Sequence, residues 1–163
     1  MPTPLYPQEM KLSLLPAALL LACALPAAAQ DTGYWRASSN TASSITGDIS
    51  ISGTKVAINF LSFTLAEIRA LQPTEINALF NPDTATPNAI AGAGNLYRLN
   101  VPGAQRFLHK NTLCGSDNVQ WMATWANGRT LQVALFSGDD TPSFKPEVLA
   151  TATNLCGTFT YSR

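Results

Sequence analysis

The chain has 163 residues, with 10 Lys+Arg set against 10 Asp+Glu, one His, three Cys and only 12% charged residues. That length suits one domain and argues against a two-domain enzyme. Zero net charge supplies no field to draw nucleic acid or an anionic bilayer, and so few Cys and His leave little material for a metal site.

Residues 12–29 carry no charge and end in Ala27-Ala28-Ala29, with Lys11 before them and Gln30-Asp31 after. A basic flank, an apolar stretch and a small-residue site make a secretory signal, so residues 1–29 are read as a signal peptide cut after Ala29. Pro16 and Pro26 argue against a stable transmembrane helix, because each removes a backbone donor. Met10-Lys11 would itself serve as the start, since residues 1–9 hold three Pro and Glu9 where a basic stretch belongs. Leu20-Leu21-Ala22-Cys23 resembles the lipobox of bacterial lipoproteins, in which Cys23 would be lipidated. Leu21 departs from the small or β-branched residue usual there, and the downstream site competes, so cleavage after Ala29 is the favoured reading.

Residues 30–163 then form the working domain. It opens on Gly33-Tyr34-Trp35 and passes through a Ser/Thr/Asn-rich stretch to Ser44. Residues 48–52 and 55–60 alternate in hydrophobicity around Gly53-Thr54. With those two as a II′ loop, Ile51 lies opposite Val56 and Ile49 opposite Ile58, giving a half-buried hairpin. Residues 61–71 are ambiguous: Phe63 and Leu65 continue a strand, whereas Thr64-x-x-Glu67 fits a helix capping box. Residues 73–80 read as a short helix with Thr74 as cap and Ile76, Leu79 and Phe80 on one side. A loop over 81–94 follows, in which Ala91-Gly92-Ala93-Gly94 reads as a flexible connector, and then a strand over 96–101.

Residues 119–126 and 129–136 flank Asn127-Gly128, a preferred hairpin pair. Counting from that loop sets Trp125 opposite Thr130, Trp121 opposite Ala134 and Val119 opposite Phe136. Met122 opposite Val133 and Thr124 opposite Leu131 occupy the other face, so both faces are substantially apolar. A bulge would exchange faces beyond it. After a loop over 137–146, residues 157–161 form a last strand with Phe159 and Tyr161 on one face.

Cys114 and Cys156 stand in matching Asn/Thr-Leu-Cys-Gly contexts, an even pair in an exported chain, and are expected to form a disulfide. The expected fold is mainly β: a small antiparallel β-barrel or sandwich with one or two short helices and this single bridge. Gly33-x-Trp35 resembles the opening of lipocalin-type barrels, in which the Trp closes the barrel base; the resemblance covers three residues and implies no ligand.

Chemistry-bearing patterns are sparse. His109 is the only imidazole, no Gly-x-Ser-x-Gly elbow presents a serine, and His109-Lys110 reads as a polar turn. Asp139-Asp140 sits in a Gly/Asp/Pro turn without the spaced oxygens of a calcium loop. Trp121 and Trp125 share a strand face and serve either as core or as an aromatic platform for a sugar, a lipid or a protein. The reading is a non-enzymatic exported binding or interaction module, periplasmic and monomeric, needing no cofactor or metal. A lipocalin-like carrier of a small apolar ligand, its cavity lined by Trp35, Trp121 and Phe136, is the alternative, and Trp125 is a ligand-binding candidate through the aromatic platform. A small hydrolase built from Asp48, Glu67, Glu75, Asp117 and Glu147 is the third.

Overall fold

The computed structural model describes residues 1–2, 30–80, 91–100, 113–115 and 117–163. The signal segment with Cys23, and His109 with its turn, lie outside them. The strands are β1 (Gly33–Ala37), β2 (Ile49–Ser52), β3 (Lys55–Ile58), β4 (Leu61–Ala70), β5 (Ala93–Asn100), β6 (Val119–Asn127), β7 (Thr130–Ser137) and β8 (Leu155–Ser162). Helices α1 (Pro73–Phe80) and α2 (Pro146–Leu149) and one π-helical turn, Ala42–Thr46, complete the described elements. Each strand pairs antiparallel with the next and β8 returns to β1, so the sheet closes into an eight-stranded barrel. Closure removes the exposed edges that an open sheet or sandwich would keep. No helix among the described residues is long and apolar enough to cross a membrane.

Alternation along the strands divides the apolar residues into two layers. Ile49, Val56, Phe63, Met122, Leu131 and Phe159 point into the barrel and belong to one buried cluster. Leu96, Trp121, Trp125 and Phe136 belong to a second cluster, on the outside of the wall, with Ile76, Leu79 and Phe80 of α1 and Phe144 packed over them. Both faces of the β6–β7 hairpin are therefore buried, one by the interior and one by a helical roof.

The first hairpin keeps the expected register, Ile49↔Ile58 and Ile51↔Val56. Gly53 has no positive φ, however, so the loop is not of the II′ kind. In the second hairpin the loop is Gly128-Arg129, and Asn127 pairs with Thr130. Gly128, at φ 58°, is the first central residue, where a II′ turn needs its glycine. From Trp121 to the loop the expected partners move by two residues, so that Trp125 faces Gln132 and Trp121 faces Phe136, whereas Val119 moves by one, to Ser137. A two-residue shift preserves the faces. A bulge between Val119 and Trp121 does not, and it turns Val119 into the interior cluster.

Residues 61–70 are a strand, bulged between Glu67 and Arg69. Helix α1 forms as expected with Ile76, Leu79 and Phe80 buried, but Thr74 is not its cap. The carbonyl of Gln72 accepts from Ile76, and Glu75 reaches back to accept from the Gln72 N–H at 2.8 Å, the carboxylate half of a capping box. The Gly-rich stretch is no loose connector: β5 begins at Ala93, and Gly94 lies beneath α1. A Cβ there would stand 3.1 Å from Ile76 and 2.9 Å from the Thr124 carbonyl. Cys114 and Cys156 are bridged, with Cα atoms 4.8 Å apart, tying the approach to β6 to the start of β8.

Candidate functional site: a cationic cleft at the barrel seam

The seam between β1 and β8 is the shortest ladder of the barrel, with register pairs Arg36↔Ser162 and Ala37↔Tyr161. It is extended by Ser38 and Ser39, whose N–H groups both donate to the Thr160 carbonyl. Trp35 points inward from β1, so strand alternation sends Tyr34 and Arg36 outward. Arg129 comes from the β6–β7 turn, and Thr130 and Ser162 from the paired ends of β7 and β8. The N–H of Arg163 donates to the Arg129 carbonyl at 3.0 Å and holds these two arginines side by side. Tyr34, Arg36, Arg129, Thr130, Ser162 and Arg163 thus line one open cleft of about 550 Å³.

The charges of the cleft are unevenly compensated. Tyr34 O–H donates to Asp48, whose other oxygen accepts from the Ala37 N–H at 2.9 Å. The tyrosine bond first, then that N–H and the Arg36 charge, hold the Asp48 carboxyl below its usual range; the same bond raises the Tyr34 phenol. Asp48 therefore answers one of three guanidinium groups. Arg163 donates to the carbonyls of Thr32 and Gln30 at 3.1 and 3.3 Å, and carbonyls do not cancel a charge. Its guanidinium also lies 4.3 Å from the centroid of Trp35, a cation–π contact.

Behind that contact the end of the barrel is closed by polar groups. Asp31 is 1% exposed, and its Oδ2 accepts from Tyr97 at 2.8 Å and Thr124 at 2.7 Å. Its backbone carbonyl accepts from Trp35 Nε1 at 2.7 Å, and Oδ1 has no hydrogen-bond partner among the described residues. Residues 30–32 therefore cross the barrel mouth and are pinned from inside by Asp31 and from outside by Arg163.

Two inward tyrosines give this architecture a pH dependence. Burial pushes the Tyr161 phenol up to about 12, partly opposed by its bond to Thr46. Burial, then the Asp31 charge, pushes Tyr97 up further. A folded pKa above the unfolded value of about 10 contributes stability that is complete below pH 10 and is lost as pH rises through the folded value. Tyr161 alone should remove about 2–3 kcal/mol between pH 10 and 12. We expect tyrosinate absorbance to appear together with loss of the near-ultraviolet circular dichroism. Independent titration near pH 10 in an intact fold would contradict this.

The sequence-derived binding residues fall in two places. Trp35 is inside the barrel, whereas Trp121, Trp125 and Phe136 are in the outer cluster, so the structure does not bring the four together. Trp121 and Trp125 are 6% and 7% exposed. Phe80 stacks on Trp125 with ring centroids 6.2 Å apart, and Arg98 covers Trp121 at 4.6 Å. Arg98 is held in turn by Asp139 at 3.2 Å, so the acidic turn clamps the roof. The five carboxylates named above stand on different segments, and Glu75 is taken up by both guanidinium nitrogens of Arg69 at 2.7 Å.

Tyr34, Arg36, Arg129 and Arg163 carried no sequence signal as a set, because they come from two ends of the domain and one turn. The outward alternation around Trp35 was the one usable hint. Comparison of the chain with protein-family models, with curated proteins and with solved structures finds no match.

Proposed function

We propose that the chain is a non-enzymatic exported binding module, periplasmic in setting, that recognises an anionic group through the outer cleft at its seam. The observation that carries this reading is the convergence of Arg36, Arg129 and Arg163 with the exposed ring of Tyr34 in one cleft. Guanidinium groups offer planar, paired donors that match carboxylate and phosphate oxygens, and an aromatic face beside them suits a ring. The apolar side chains packed inside the barrel favour binding from outside over carriage of an apolar ligand. The Cys114–Cys156 bridge, with the signal-like segment, supports export to an oxidising compartment.

The test is an amide chemical-shift titration with pyrophosphate in one arm and citrate in the other. Shifts should gather on Tyr34, Arg36, Thr130 and Ser162. The double variant Arg36→Ala/Arg129→Ala should bind at least about 10-fold more weakly, as the loss of charge-assisted hydrogen bonds requires. Shifts scattered over the surface, or an unchanged double variant, would remove the reading. The stronger arm assigns phosphate or carboxylate chemistry.

A further inference from the structure

Asn127-Gly128 is the only Asn-Gly dipeptide in the chain, and the hairpin register treats its two residues differently. The loop is Gly128-Arg129, which asks for glycine at 128 and asks nothing of 127, where φ is not positive. Asn127 is the last residue of β6 and pairs with Thr130 at the hairpin tip, where residues 127–130 are all exposed. Directly opposed residues of an antiparallel pair point to the same face of the sheet. Thr130 lines the seam cleft, so the Asn127 side chain stands on the cleft side of the wall, near Arg129 of the same turn.

We propose that Asn127 is a modification site, at which loss of ammonia creates a carboxylate that competes with anions for the cleft. The Gly128 nitrogen gives up its proton and attacks the Asn127 side-chain carbonyl carbon. A C–N bond forms, the bond to the side-chain nitrogen breaks, and ammonia leaves with the proton. Water then opens the cyclic imide at either carbonyl, giving aspartate or isoaspartate with one oxygen from water. The structure favours each step. Among the described residues the Gly128 N–H has no acceptor and the Asn127 side-chain amide no hydrogen-bond partner. A Cβ on Gly128 would meet nothing within 4 Å, so the ring has room to close. The Arg129 guanidinium, next in sequence, favours the deprotonated amide as any neighbouring cation favours an anion. Closure needs the Asn127–Thr130 pair to open, and the end pair of a hairpin opens more readily than the barrel beneath it. The effect on the cleft rests on its anion-binding reading; the reaction at Asn127 does not.

The test incubates the folded, oxidised protein for weeks in mildly alkaline buffer made with heavy-oxygen water, and reads each asparagine by peptide mass spectrometry. Asn127 should take up one heavy oxygen ahead of every other asparagine. An intact Asn127 in the folded protein, when the same protein in urea converts, would overturn the proposal. Pyrophosphate is then titrated into fresh wild type, Asn127→Asp and Asn127→Ala. Asn127→Asp should bind about 3-fold more weakly, a gap that closes in high salt, and Asn127→Ala should match wild type. Equal affinity in Asn127→Asp and Asn127→Ala would overturn the effect on the cleft. Failure of fresh wild type to bind pyrophosphate or citrate would instead remove the anion reading, and heavy oxygen at Asn127 would still establish the modification.

Discussion

Opening the Cys114–Cys156 bridge is expected to lower the stability of the barrel by about 4 kcal/mol. The two cysteines are 42 residues apart, and in the chain-entropy model the loss follows from releasing a loop of that length in the unfolded state. A small domain has about 5–15 kcal/mol in total, so this one bond decides whether the fold survives warming. The enclosed loop holds β6, β7 and α2, which means that the bridge restrains the central hairpin together with its roof. Urea unfolding of the oxidised protein, the reduced protein and Cys114→Ala/Cys156→Ala should give one high midpoint and two similar low ones. A difference below about 1 kcal/mol would show that the unfolded chain is already compact across this loop, so that closing it removes little entropy.

How much of the barrel could be read in advance depended on where the chain states its own geometry. The first hairpin declared its register through alternation from Ile49 to Ile58 and a two-residue break, and the structure pairs those residues as read. In the second hairpin the dipeptide Asn127-Gly128 pointed to the right turn with the wrong phase. Glycine serves the second position of one turn type and the first of another, and composition does not say which. The bulges beside Val119, Ile68 and Cys156 left no sequence mark, because a bulge is a property of two paired strands. Closure into a barrel, as opposed to a sandwich, depended on β8 meeting β1 across more than a hundred residues, a pairing that local pattern does not encode.

The site was less legible than the fold for the same reason. Two aromatic residues on one face of a single strand drew attention to Trp121 and Trp125, yet these rings are needed to seat α1 and the segment 138–145 on the wall. The arginines of the cleft lie at positions 36, 129 and 163, each unremarkable in its own stretch, and only the seam brings them together. Phe60 was read as the end of a strand, because a phenylalanine after Ile58 continues an apolar run. Nothing short of its backbone angle marks it as a turn residue.

Trp35→Ala should be the most damaging single substitution in the barrel, with a loss of about 3–5 kcal/mol, the range for removing a buried aromatic and leaving a cavity. Three consequences follow from its place in the structure. The side chain is 0% exposed within the interior cluster, so its volume has no solvent-side route to collapse. Its Nε1 satisfies the Asp31 carbonyl at 2.7 Å, and the variant leaves that acceptor without its donor, beside a carboxylate of which one oxygen already has no hydrogen-bond partner among the described residues. It also removes the ring over which Arg163 lies, loosening the hold of residues 30–32 across the barrel mouth. Trp35→Phe separates these effects. It keeps most of the ring area while deleting the donor, and should cost about 1–2 kcal/mol. If Trp35→Phe costs as much as Trp35→Ala, the hydrogen bond to Asp31 and not the packing closes this end. If both cost less than about 1 kcal/mol, residues 30–32 do not depend on the Trp35–Arg163 pair, and the cleft should then keep its anion affinity in Trp35→Ala.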